Sequence, residues 1–128
     1  MSTHADFLTA LLTEFPDLRD GIESSDGLPY LEMGAFAAFT QRAKGAADWD
    51  VYGRAVRLAA RFLPDADKEL RNELHVSFLE HLDFEGPKGP KAWSLLPPDL
   101  QHAWHDIISY NERLLGRPWV RTKPGTSE

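Results

Sequence analysis

The sequence predicts an all-α fold: a single-domain bundle of about five main helices in antiparallel pairs. Three observations predict it. Apolar residues recur at spacings of three and four in successive segments, the signature of helices with one buried face. Proline and glycine separate those segments by short connections, which favour antiparallel neighbours. Strict alternation of apolar and polar residues never lasts more than four residues, so no convincing strand appears.

The first helix opens at residues 2–6. Thr3 with Asp6 three residues later forms a capping-box pattern. Phe7, Leu8, Leu11, Leu12 and Phe15 then follow at helical spacing, and Pro16 ends the run. Residues 17–29 carry Gly21, Ser24, Ser25, Gly27 and Pro29 and read as a linker. The second helix is expected over residues 30–44, with Phe36, Phe39 and Ala43 on one side and Gly45 as its stop. Its glycine and alanines make it thin enough for a neighbour to approach closely.

Asp48 suits the cap of the third helix. Trp49, Tyr52, Ala55, Val56, Ala59, Phe62 and Leu63 form its apolar face, while Arg54, Arg57 and Arg61 form a stripe on the other side. Pro64 ends it. The fourth helix is expected over residues 67–82, where Leu70, Leu74, Phe78 and Leu82 recur every four residues. Residues 86–90 are a firm break, and residues 91–96 add at most a short helical turn. Pro98 and Asp99 start the last helix. Leu100, Ala103, Trp104, Ile107, Ile108, Leu114 and Leu115 form its buried face, and Gly116 stops it. Residues 1–116 are thus expected to form the helical domain, and residues 117–128 a loosely ordered tail with Trp119 in it.

Composition narrows the function classes. The chain has no cysteine, which excludes disulfides, thiolate metal sites and cysteine nucleophiles. The first residues lack a basic n-region, and no window approaches the ~18 apolar residues of a membrane span. Together these lead us to expect a cytoplasmic protein. The formal net charge of −6 disfavours nucleic acid and anionic membranes as partners and favours a basic protein partner.

The densest stretch is residues 72–86, where His75 and His81 sit among acids and large apolar residues. On a regular helical wheel the histidines flank the apolar stripe, and Glu69, Glu73 and Glu80 fall on the opposite side. The histidines are six apart, whereas helical metal pairs use i and i+3 or i+4. The stretch therefore reads as a core helix with an acidic back. His102 and His105 do have i, i+3 spacing, and Asp99 and Asp106 lie near them. This is the best metal-like constellation in the chain, although it falls on the expected solvent face and lacks a recognised full ligand set. The arginine stripe has two readings, a phosphate site or a solvated face paired with acids such as Asp50. Trp93, in a proline-bounded connection, reads as a core plug or an exposed anchor.

Three segments carry a resemblance: LPYLEMGAFAAFTQRA, RNELHVSFLEHLDF and LLPPDLQHAW. With the V-x-F-L-E-H-L run at residues 76–82, the chain resembles a family of small all-helical bacterial proteins of uncharacterised function, over residues 7–115. Such proteins look similar to the orphan proteins encoded beside polymorphic toxins, which implies an immunity role. The resemblance carries no catalytic residues to transfer and no cofactor.

The reading that follows is a non-enzymatic binding module, an immunity protein that occludes the active site of a basic toxin domain. Glu73, Glu80, Asp83, Glu85 and Trp93 are the candidate contacts. The rival readings are a metal-dependent enzyme using Asp99, His102, His105 and Asp106, and a general helical adaptor.

Overall fold

A computed structural model describes residues 1–116. The expected tail, with Trp119, lies outside the described residues. The described chain is helical and contains no strand. Among the described residues seven α-helices replace the expected five or so. They are α1 (His4–Glu14), α2 (Arg19–Glu23), α3 (Pro29–Gly45), α4 (Trp49–Phe62), α5 (Lys68–Glu73), α6 (Gly89–Leu95) and α7 (Pro98–Leu115). The excess comes from two short helices. α2 forms inside the segment read as a linker, because Leu18 and Ile22 bury themselves at i, i+4 spacing. α6 is the short turn around Trp93, grown to two turns.

The ends of these helices follow local chemistry. Thr3 accepts from the Asp6 amide while Asp6 accepts from the Thr3 amide, a complete capping box for α1. Asp48 and Asp67 cap α4 and α5 one way, their side chains accepting from the Val51 and Leu70 amides. α3 ends differently from expectation. Gly45 stays helical and Ala47 takes the left-handed turn, with φ 57°. The Asp48 amide donates to the Ala43 carbonyl at 2.8 Å and the Ala47 amide to Lys44 at 3.0 Å, a Schellman closure with alanine in the place glycine prefers.

The expected fourth helix is not regular. After α5, residues Leu74–Phe78 widen into a π-helical turn, and Leu79–His81 tighten into a 3₁₀ turn. A π turn bonds i to i+5, so it winds less per residue than the α-helix. The lag brings Leu79, which a regular wheel places opposite Leu70, back into the core at 0% exposure. The same region leaves Val76 about half exposed, at 47%.

α3 packs on α4 and on the π turn and forms the centre of the molecule. Phe36 of α3 stacks on Phe78 at 4.7 Å and meets the edge of Phe7 from α1 at 5.6 Å. Phe7 in turn meets Phe62 of α4 at 5.3 Å. Four elements thus share one aromatic file. A second cluster joins Phe84, Trp93 and Trp104, with ring centres 5.0 to 5.5 Å apart, and closes the α6–α7 end. Between them Tyr52 is fully buried, and its hydroxyl donates to the Ala92 carbonyl at 3.0 Å. Burial pushes the Tyr52 phenol well above its ordinary range, helped by the charge of Asp83. The amino-terminal residues are clipped to the α4–α5 corner. The Ser2 amide donates to the Asp65 carbonyl at 2.7 Å, and the Asp67 amide donates to Ser2 at 2.8 Å.

Candidate functional site

The residues singled out from the sequence separate into three environments. Glu73 turns inward rather than outward. It lies 60° of arc from Leu70 on a regular wheel, close enough to share the buried side, and only 6% of it is exposed. There it meets His4, the first residue of α1. His4 Nδ1 lies 2.5 Å from Glu73 Oε1, and Nε2 lies 2.7 Å from Glu32 Oε1 of α3. One imidazole therefore links three helices. Burial pushes the Glu73 carboxyl up, against the pull of His4. Glu73 is a structural anchor and has no surface to offer a partner.

Asp83 is engaged at both carboxylate oxygens and at its carbonyl. Its carboxylate accepts from Lys44 Nζ at 2.9 Å and Gln41 Nε2 at 2.8 Å, and its carbonyl accepts from the same lysine at 2.7 Å. These bonds fasten the end of the 3₁₀ turn to α3. Burial pushes the Asp83 carboxyl up, but the lysine and the bonds from Gln41 and the Glu85 amide outweigh it and hold it below its ordinary range. Glu85 is exposed and Glu80 partly so. Trp93 is partly buried, with its ring against Phe84, Trp104 and His105, and it closes the core of the α6–α7 end.

The histidine pair of α7 divides. His102 stands 3.8 Å from Asp106, both well exposed. Together with Asp99, Arg71 and His75 they line a groove of about 370 Å³ between α7 and the α4–α5 corner. His105 takes no part, because its ring lies 5.1 Å from Trp93 and 5.7 Å from Trp104. Among the described residues no group of three His, Asp or Glu stands placed to hold a metal ion. His75, half sheltered at the groove wall, has its pKa lowered by burial and then by the charge of Arg71, with Asp106 opposing.

A different surface gathers free acids. Asp17, Asp20, Glu23 and Asp26 are all exposed along the 3₁₀ turn before α2, α2 itself and the turn after it. None has an ion-pair partner among the described residues. Leu28, Tyr30 and Leu31 follow at once, exposed at 42%, 58% and 44%. Sequence reading passed over this margin because glycine and serine made it look like plain linker. The three-residue spacing of its acids was the available signal. His4 was likewise missed, though Glu32 between Leu31 and Met33 hinted at an acid on a buried face.

Residues 8–112 match the model of a domain of unknown function, DUF7674, and the chain belongs to that family. No curated protein and no solved structure matches it. No helix among the described residues is long and apolar enough to cross a membrane.

Proposed function

We propose that this chain is a non-enzymatic protein-binding module, and specifically an immunity protein that covers the active-site cleft of a bacterial toxin domain. The observation that carries the reading is the margin from Asp17 to Leu31. It sets four unpaired acids beside three exposed apolar side chains, one of them tyrosine. An apolar, aromatic centre with a charged rim is how protein interfaces are built. The acids select a basic partner and speed its approach. The net charge of −6 acts in the same direction. With Glu73 and Asp83 engaged internally, the contact surface moves from the residues read from sequence to this margin. Glu80 and Glu85 stay at the surface as secondary contacts.

The test is a pull-down of the carboxy-terminally tagged protein from its native cells, read by mass spectrometry. The expected result is a stoichiometric basic partner with toxin-like activity. It should be lost in the Asp20→Lys/Glu23→Lys variant and weakened about tenfold or more by Tyr30→Ala. A partner retained at full strength by both variants would place the interface elsewhere, and an empty wild-type lane would argue against the immunity role.

A further inference from the structure

We propose that the groove between the end of α1 and the outer face of α4 is a binding site for a small phosphate-bearing ligand. The groove measures about 320 Å³ and is lined by Glu14, Arg54, Arg57, Leu58 and Arg61. The chain as a whole has 20 acidic residues against 14 lysines and arginines, yet this lining holds three cations and one carboxylate. The local charge is opposite in sign to that of the molecule.

The three arginines are not equivalent. Arg54 is fixed by its own chain. Its Nε donates to Glu14 Oε2 at 2.8 Å, Nη2 donates to the Glu14 carbonyl at 3.2 Å, and the guanidinium sits 4.9 Å above the Phe15 ring. Asp50 adds a looser contact to Nη1 at 3.7 Å. The single carboxylate of the groove is thereby neutralised. Arg57 and Arg61 have no carboxylate partner among the described residues. Arg57 is nevertheless placed. Its Nη1 lies 2.9 Å from where a Cβ on residue 53 would stand, so its head folds back over the bare backbone of Gly53. A glycine inside a helix is destabilising relative to alanine, and here it opens the space that Arg57 occupies. Arg61 lies near the Phe62 ring, 5.6 Å from its centre.

Like charges one turn apart repel, and a chain rich in carboxylates had ample means to pair them. Two unpaired guanidinium groups at one groove, beside a third that is held in place, form a receptor for an anion. Arginine forks match the oxygens of phosphate two at a time, which lysine cannot do. The volume suits a small molecule rather than a polymer. The inference stands apart from the protein-binding reading, since the groove shares no residue with the acidic margin.

Isothermal titration with inorganic pyrophosphate tests it, at fixed ionic strength. The wild type should bind one equivalent saturably. The Arg57→Gln/Arg61→Gln variant, altered only at exposed side chains, should bind about ten- to a hundredfold more weakly with its circular dichroism unchanged. Gly53→Ala should weaken binding by displacing Arg57, and His102→Gln in the α7 groove should leave it unchanged. Adenosine diphosphate binding no tighter than pyrophosphate would identify the phosphates alone as the recognised group; tighter binding would extend the ligand to a nucleotide. No saturable binding by the wild type, or equal binding by the double variant, would overturn the proposal.

Discussion

At the scale of single residues, the buried charges define where the molecule is vulnerable. His4 stands between Glu32 and Glu73, with side-chain exposures of 12%, 9% and 7%. Its removal leaves two carboxylates buried without a partner, and breaking a buried pair in this way is far costlier than losing a surface one. His4→Ala should destabilise the fold by about 3 kcal/mol in urea unfolding. A loss below 1 kcal/mol would show that water reaches the site and relieves it. Gly89 is held by sterics instead. A Cβ there would lie 1.8 Å from the Phe84 carbonyl oxygen, a backbone atom that cannot rotate away. Gly89→Ala should therefore cost about 3 kcal/mol, the upper end for overpacking. Ala47 offers the reverse. Its left-handed turn costs an alanine about 1 kcal/mol, so Ala47→Gly should raise the melting temperature by a few degrees.

At the scale of elements, the segment from α5 to the 3₁₀ turn is where a regular helix failed to describe the chain. A π turn accommodates one residue more than an α turn over the same span. Deleting exposed Val76 should let the segment close into regular helix with Leu79 still facing the core, at a cost of about 1 kcal/mol or less. Deleting Asn72, within regular α5, should rotate every following side chain and abolish cooperative melting. Most other elements were legible beforehand because their boundaries lie in residue chemistry. Thr3, Asp48, Asp67, Pro98 and Gly116 each act at a helix end through their own atoms. The π turn has no such local mark. It is imposed by the need to keep Phe78, Leu79 and Leu82 together against α3, a demand visible only once α3 is in place. α2 was missed for a related reason, since five residues are too few to show a period and only burial of Leu18 and Ile22 sustains it.

At the scale of the whole molecule, pH sensitivity follows from which groups folding perturbs. His75 has a folded pKa below its ordinary 6.5, so the unfolded chain takes up that proton first. Its stabilising contribution is complete above pH 6.5 and declines as pH falls through the folded value. Asp83, held below 3.8, contributes in full above that pH and loses its contribution only as pH falls through its lower folded value. Urea titrations across pH should show two separate declines. His75→Gln should remove the upper one, and Asp83→Asn should lower stability at pH 7 while flattening the lower one. The candidate sites were less legible than the fold, because each depends on side chains brought together from distant positions. Helical spacing placed Arg54, Arg57 and Arg61 on one face, but only the arrival of Glu14 showed which of them is free. The anchoring of His4 also bears on how the chain is made. Its partner Glu73 lies 69 positions further along, and at ribosomal speeds of about 5–20 residues per second the nascent amino terminus waits several seconds for it. During that interval Phe7 of α1 has first no aromatic cover, then Phe36, and only later Phe62, so the emerging chain should be a client of ribosome-associated chaperones until the middle of the sequence has left the exit tunnel.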